Sequence, residues 1–270
     1  MPIQEINDTN IYYELVGEGK EVVAFLNGVA MQTSLWQAQV NSIKDNYKVL
    51  LHDFRGQGQS SLEIINYTFK QHADDFYELL NELEIDKVHI VGVSYGAEVA
   101  MQFALKYPSK ISSLILGTVV SEVKPLLKAM IDAWISAAKT YDGELFFKVM
   151  APFVYSNTFY ESKGDWLKQR AKIFGDTVTR EWLNAFIELC NNFLTLDLTD
   201  ELHKIKIPTL VVSGEKDILK PVSYGKTIKQ EIPNSELIIV DDTGHGLFAE
   251  KPEEFNQIIN DFINENKKNK

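Results

Sequence analysis

The chain has a single cysteine, Cys190, in 270 residues, so no intrachain disulfide can brace it. No histidine, aspartate or asparagine motif accompanies Cys190, which reads as a small apolar residue on a helix rather than a nucleophile. Positive charge is scarce. Lys and Arg number 27 against 38 Asp and Glu, a net charge of −11 with no basic stripe, which excludes a nucleic-acid partner from the expected ones. The one basic cluster, Lys267-Lys268-Asn269-Lys270, reads as a frayed, solvated tail. No apolar run approaches the roughly 20 residues of a membrane-crossing helix. Met1-Pro2-Ile3-Gln4-Glu5 lacks the basic start and apolar run of a secretory signal. A cytoplasmic protein with no membrane contact is the expectation. Repeats and low-complexity tracts are also missing.

What is present is ordinary globular material. At 45% hydrophobic and 24% charged, the chain can bury a sizeable core as one large domain, with or without an insertion. Short β-rich runs alternate with helical patterns. Ile11–Leu15 reads as an early edge strand, and Val22–Leu26, Tyr47–His52, Val88–Val93, Ile111–Leu116, Thr209–Ser213 and Leu237–Val240 follow. Runs that are apolar throughout suit strands covered on both faces, so the sheet is expected to be mostly parallel within an α/β fold. Helices are expected at Phe69–Leu83 and Ala97–Lys106. Between about Ser121 and Leu202 no strand pattern occurs. Helical runs at Lys124–Lys139, Gly143–Met150, Asp165–Phe174 and Thr179–Leu194 stand there instead, with apolar residues at helical spacing. This segment is rich in aromatics: Trp134, Phe146, Phe147, Phe153, Tyr155, Phe159, Tyr160, Trp166 and Trp182. It reads as a helical insertion over the sheet, with a minority of those rings lining a pocket.

Gly92-Val93-Ser94-Tyr95-Gly96 lies between the strand ending near Val93 and the helix beginning near Ala97, the form of a nucleophile elbow. A strand that turns at once into a helix strains the serine backbone and presents its hydroxyl at the top of the sheet. A serine hydroxyl needs a base, and the base needs an orienting group. His245 sits in Asp241-Asp242-Thr243-Gly244-His245-Gly246 after the last strand, and Asp217 in Ser213-Gly214-Glu215-Lys216-Asp217 after the strand before it. Both loops leave carboxyl ends of strands, where open α/β sheets gather their sites. The order Ser94, Asp217, His245 suits a hydrolase elbow. Glu215 competes with Asp217 by position, whereas Asp241 and Asp242 stand too close to His245 in the chain to reach behind its ring. His52, His72, His89 and His203 fall within strand or helix patterns and read as structural. Backbone amides of Val29 and Tyr95 are the expected oxyanion donors. Met31 and Trp36 follow Val29 closely and are candidates for the pocket border, Trp36 equally for packing against the sheet. Asp53-Phe54-Arg55-Gly56-Gln57-Gly58-Gln59-Ser60 lacks the third glycine or lysine-serine pair of a phosphate loop and reads as a structural loop with an internal Asp–Arg interaction.

Taken together, Asn27-Gly28-Val29, the stretch from Asp53 to Ser60, the elbow, Gly214–Asp217, and Gly244-His245 through Glu250, Pro252 and Phe255 resemble an α/β-hydrolase-fold enzyme over nearly the whole chain. Within that family the chain is most similar to small esterases and lactonases such as 3-oxoadipate enol-lactonases and pimeloyl-ester esterases. The resemblance implies an eight-stranded, mostly parallel sheet flanked by helices, with a helical cap inserted after the sixth strand. Residues 1–120 and 203–270 would then form the core and 121–202 the cap. It implies no cofactor, and it assigns no residue to a metal. The expected reaction is cleavage of a small-molecule carboxylic ester or lactone through an acyl-enzyme on Ser94. A thioester, an amide or a carbon–carbon bond is the alternative substrate for the same triad. A non-catalytic ligand-binding protein on the same scaffold is the alternative of another class. The chain departs from the family's pattern twice: Asn27 stands where the oxyanion loop usually has histidine, and Glu98 lies in the first turn after the elbow, where small or apolar residues are usual. A carboxylate near a helix amino end is favourable in itself.

Overall fold

The computed structural model describes residues 2–64 and 67–267. The strands are β1 (Ile3–Ile6), β2 (Thr9–Val16), β3 (Val22–Leu26), β4 (Lys48–His52), β5 (Val88–Val93), β6 (Ile111–Gly117), β7 (Thr209–Gly214) and β8 (Ser235–Val240). They form one eight-stranded sheet in the order β1-β2-β4-β3-β5-β6-β7-β8. The two β2 pairings are antiparallel and every other pairing is parallel. The expected edge strand is therefore second in the sheet, because β1 pairs outside it. β1 was not anticipated: only Ile6 of its four residues is buried, so its sequence shows no apolar run.

The helices are α1 (Gln37–Ile43), α2 (Phe69–Glu82), α3 (Tyr95–Lys106), α4 (Pro125–Ala138), α5 (Gly143–Val154), α6 (Asn157–Ser162), α7 (Gly164–Thr177), α8 (Arg180–Phe193), α9 (Val222–Glu231), α10 (Leu247–Glu250) and α11 (Pro252–Lys267). Strand alternation distributes the core. Val23, Phe25, Val49, Leu51, Val91 and Val93 face one side, where they meet Val40 and Ile43 of α1 and Phe255, Ile259 and Ile263 of α11. Ala24, Leu26, Leu50, Val88 and Ile90 face the other, against Phe76 of α2, Val99 and Phe103 of α3, and Ile228 of α9. Burial on both faces is why these strands are apolar over most of their length. Between β6 and β7 the chain is helical, α4 to α8, and Glu122 pairs with Asp197 in an isolated antiparallel bridge where this segment leaves and rejoins the sheet. Lys267 ends α11 and pairs with Glu21 at 2.8 Å, while Lys268, Asn269 and Lys270 of the expected tail lie outside the described residues. No helix among the described residues is long and apolar enough to cross a membrane.

Four of the histidines suit structural roles. His89 is buried, its Nδ1 2.7 Å from Ser113 Oγ, and His203 is exposed on a short 3-10 turn. His52 and His72 lie within an aromatic cluster, His52 stacked on Phe76 at 5.1 Å and His72 edge-on to Tyr95 at 5.5 Å. Burial holds each imidazole neutral, pushing its pKa from 6.5 down to about 3. The unfolded chain therefore binds more protons at mildly acid pH. Stability from these rings is complete above about 6.5 and lost as pH falls toward about 3, at up to about 1.4 kcal/mol per pH unit for each ring. His52→Phe should accordingly lose less unfolding free energy than the wild type between pH 7 and pH 4 in urea titrations. Parallel pH dependences for the two proteins would contradict this account.

Candidate active site

The site begins with one backbone turn. Ser94 has φ 51° and ψ −122°, a conformation rare for a residue with a Cβ. Its amide donates to Gly117 O at 2.9 Å and its carbonyl accepts from Ala97 N at 2.8 Å, so strand and helix meet with no intervening loop. Close approach explains the flanking glycines. A Cβ on Gly96 would lie 2.2 Å from Leu26 O, and one on Gly92 2.6 Å from Gly96 O. The helix amino end then stands over β3, and the Ser94 side chain projects at the carboxyl edge of the sheet.

Asp217 and His245 reach it from the loops after β7 and β8. These loops are stitched together: Glu215 N donates to Val240 O at 3.0 Å and Lys216 N to Thr243 O at 2.8 Å. Asp217 Oδ1 accepts the amides of Leu219 and Lys220 at 2.9 and 2.8 Å, which fixes the carboxylate. Its Oδ2 lies 2.8 Å from His245 Nδ1, and His245 Nε2 lies 2.9 Å from Ser94 Oγ. An ionised carboxylate only accepts, so Nδ1 carries the proton and Nε2 is left to accept the serine hydroxyl. Asp217 and His245 are 3% and 8% exposed, which keeps competing water from both bonds. Glu215, the rival acid, instead accepts the amide of Asp242 at 2.9 Å.

Val29 and Ser94 line one cavity together, and Tyr95 N is a first-turn amide of α3 without an intrahelical partner. The loop carrying Val29 is fixed on both sides of it: Gln57 Nε2 donates to Gly28 O at 3.0 Å, and Gly28 N meets Met31 Sδ at 3.2 Å. Asn27, in place of histidine, is fully buried. It donates to His52 O and Asp53 Oδ1 and accepts from Trp36 Nε1 at 2.8 Å, so its work is inside the loop. Met31 borders the cavity, and Trp36 is packed beneath it against Phe25. The Asp53–Arg55 interaction expected from the sequence is not the one formed. Arg55 pairs with Asp75 of α2 through Nε at 2.5 Å and a second nitrogen at 2.8 Å. Asp53 instead accepts from Thr33 N, Gln59 N and Asn27. Burial pushes its carboxyl above the usual range while these donors pull it back. Gly58 sits at φ +49°, and a Cβ there would lie 2.1 Å from Asp53 Oδ2: the loop is wound around a carboxylate, not around a phosphate.

The cavity holds about 820 Å³ and runs from Ser94 and His245 into the helical segment. Five of its nine conspicuous aromatics line it, Trp134, Phe147, Tyr155, Trp166 and Trp182, more than the minority expected. Phe146 instead packs inside the segment against Phe186 at 4.7 Å. Segment and histidine loop are bonded directly. Glu250 accepts from Gly244 N and Ser156 N, each at 3.1 Å, and from Ser156 Oγ at 2.6 Å, and Gly246 N donates to Val154 O.

One residue at Ser94 escaped sequence reading. Lys220 Nζ lies 3.2 Å from Ser94 Oγ and 2.9 and 3.1 Å from the two oxygens of Glu98, so the unexplained carboxylate of α3 faces the β7 loop rather than the helical segment. The available signal was Glu98 itself, because a carboxylate in a helix otherwise buried around it calls for a cation.

The sequence model of the alpha/beta hydrolase fold family matches residues 21–252, and the chain belongs to that family. It is 26% identical over 250 residues to 3-oxoadipate enol-lactonase 1 of Acinetobacter baylyi, covering 91% of this chain and 90% of that one. Among solved structures, the alpha/beta hydrolase enzyme MGS-M2 from a Medee basin deep-sea metagenome library superposes with a TM-score of 0.92 at 34% identity, over 97% of both chains. Est816, described as an N-acyl homoserine lactone degrading enzyme, superposes with a TM-score of 0.83 at 27% identity, covering 97% of this chain and 100% of that one.

The elbow geometry gives a direct test. Gly96→Ala forces a methyl into Leu26 O and should destabilise the fold by about 2 kcal/mol or more, whereas Gly164→Ala, with no atom within 4 Å of the added carbon, serves as the control. Equal unfolding midpoints in denaturant for these two variants would contradict the close approach of α3 to β3.

Proposed function

We propose that the protein is a serine hydrolase that cleaves carboxylic esters or lactones through an acyl-enzyme on Ser94. The observation that carries this reading is the unbroken bond chain Ser94–His245–Asp217, at 2.9 and 2.8 Å, opening on a large apolar cavity. Ser94 Oγ attacks the carbonyl carbon as its proton passes to His245 Nε2. The carbonyl electron pair moves onto oxygen, where the amides of Val29 and Tyr95 receive it. As the tetrahedral adduct collapses, His245 returns the proton to the leaving alcohol. It then takes a proton from water, whose oxygen attacks the acyl carbon, and it gives that proton to Ser94 Oγ as the Oγ–acyl bond breaks and the acid is released. Asp217 holds the imidazole in the required tautomer throughout. Residues 121–202 act as a cap whose aromatic rings receive the apolar part of the substrate. Relatives described as an enol-lactonase and a homoserine-lactone degrading enzyme support the carbonyl class.

Ser94→Ala should lower hydrolysis of p-nitrophenyl butyrate by about 1,000-fold or more. Undiminished turnover would overturn the assignment. A fluorophosphonate probe should label Ser94 in the wild type; an inert Ser94 would favour a ligand-binding protein on the same scaffold. In a panel of esters of graded acyl length, lactones, thioesters and amides, the highest kcat/KM should fall on an ester or a lactone.

A further inference from the structure

We propose that Lys220 is a further catalytic residue: its ammonium, held by Glu98, donates to Ser94 Oγ, aims the serine proton at His245 and stabilises the charge that develops on Oγ as that proton leaves. The proposal rests on the serine-hydrolase reading of the site.

The geometry accounts for every proton. An ammonium has three N–H donors and no acceptor. Two of those of Lys220 point to Glu98 Oε1 and Oε2, at 2.9 and 3.1 Å, and the third to Ser94 Oγ at 3.2 Å. Ser94 cannot donate to an ammonium, so its single proton is directed to the acceptor that remains, His245 Nε2 at 2.9 Å. Glu98 is anchored in turn by Val120 N at 3.0 Å. Lys220 also holds the far end of the chain, because its own amide donates to Asp217 Oδ1 at 2.8 Å. One residue therefore sets both the acid and the nucleophile.

Burial sets the strength of the effect. Lys220 is 3% and Glu98 0% exposed, and the Phe193 ring centroid lies 4.8 Å from Nζ. Taking such a pair out of water is costly, and apolar residues of similar size often serve structure as well or better. In return, the third N–H meets the nucleophile where the local dielectric is low. The space beside Lys220, walled also by Val29, Tyr95 and Cys190, is only about 10 Å³. That admits about one water and no substrate group, so the ammonium meets Oγ rather than a part of the substrate. The same contact acts twice, when Oγ attacks in acylation and when it leaves the acyl carbon in deacylation. The titratable groups facing the pair are Tyr95 beside the elbow, Cys190 on α8, Asp217 after β7 and His245 after β8. Burial raises the Tyr95 hydroxyl and the Cys190 thiol, so both stay neutral in the working range.

The test uses Lys220→Met and the double variant Lys220→Met/Glu98→Gln, which leaves no unpaired buried charge should the single variant fold poorly. Folding is checked by circular dichroism and thermal melts. With p-nitrophenyl butyrate, kcat/KM of the double variant should fall by about 100-fold, mainly in kcat, with slowing of both the acylation burst and the steady-state turnover. In Lys220→Met the acidic limb of the kcat/KM profile should move up, since a cation is removed from beside Ser94 Oγ, the atom that His245 Nε2 meets. Near-wild-type kcat in a folded double variant, or an unmoved acidic limb in a folded Lys220→Met, would reduce the pair to a structural brace. If wild-type Ser94 fails to react with fluorophosphonate, the hydrolase reading itself falls. If the wild type reacts and the double variant reacts as fast, only the role of Lys220 falls.

Discussion

The turn at Ser94 is the constraint on which the rest of this structure depends. A positive φ at a residue with a side chain is retained only when its surroundings leave no alternative. Here the surroundings are a parallel strand on each side, Leu26 O pressed against Gly96, and the Gly117 carbonyl holding the Ser94 amide. The sheet order follows the same need. Strands β4 and β5 flank β3, so the chain reverses its direction of travel across the sheet beside Ser94. Such a reversal leaves a crevice at the carboxyl ends of the strands, and the cavity opens there.

Around that crevice the protein keeps several carboxylates away from water. Asp53, Asp75, Glu98 and Asp217 are all nearly inaccessible. Each is matched differently: Asp53 by amides and Asn27, Asp75 by the guanidinium of Arg55, Glu98 by Lys220, and Asp217 by two amides and His245. Buried charge is tolerated only where donors meet it. These carboxylates therefore act as fixed points that hold loops in place: Asp53 the segments around Thr33 and Gln59, Asp217 and Glu98 the loop after β7. Loops that lack regular backbone pairing acquire the rigidity of the sheet by this means.

Much of the architecture was legible because the central strands are buried on both faces and so are apolar over most of their length. β3 and β5 coincide with their apolar runs. Where that condition fails, the sequence is silent. β1 is an exposed edge, and α6 is six residues long with no buried side chain. The meeting of Ser94, Asp217 and His245 was legible because they lie near glycines forced by close packing, so that Gly92, Gly96, Gly214 and Gly244 mark where backbones touch. Partners distant in the chain were not. Arg55 finds Asp75 twenty positions on, beyond the reach of the local Asp53, which is already saturated by amides. Lys220 and Glu98 are 122 positions apart, and neither has a periodic or motif neighbour that names the other.

The helical segment departs from the sheet and returns to it at a pinched neck. Glu122 pairs with Asp197, Leu198 N donates to Ser121 O at 2.8 Å, and Ser121 Oγ lies 2.7 Å from Thr199 Oγ1. The ends of the insertion are thus closed by the framework, not by the helices between them. Lengthening or rewriting a loop whose ends are already joined adds little closure entropy. Evolution can therefore exchange the contents of this segment as a cassette, changing what the cavity admits while the strands, the elbow and the buried carboxylates beneath it keep their places.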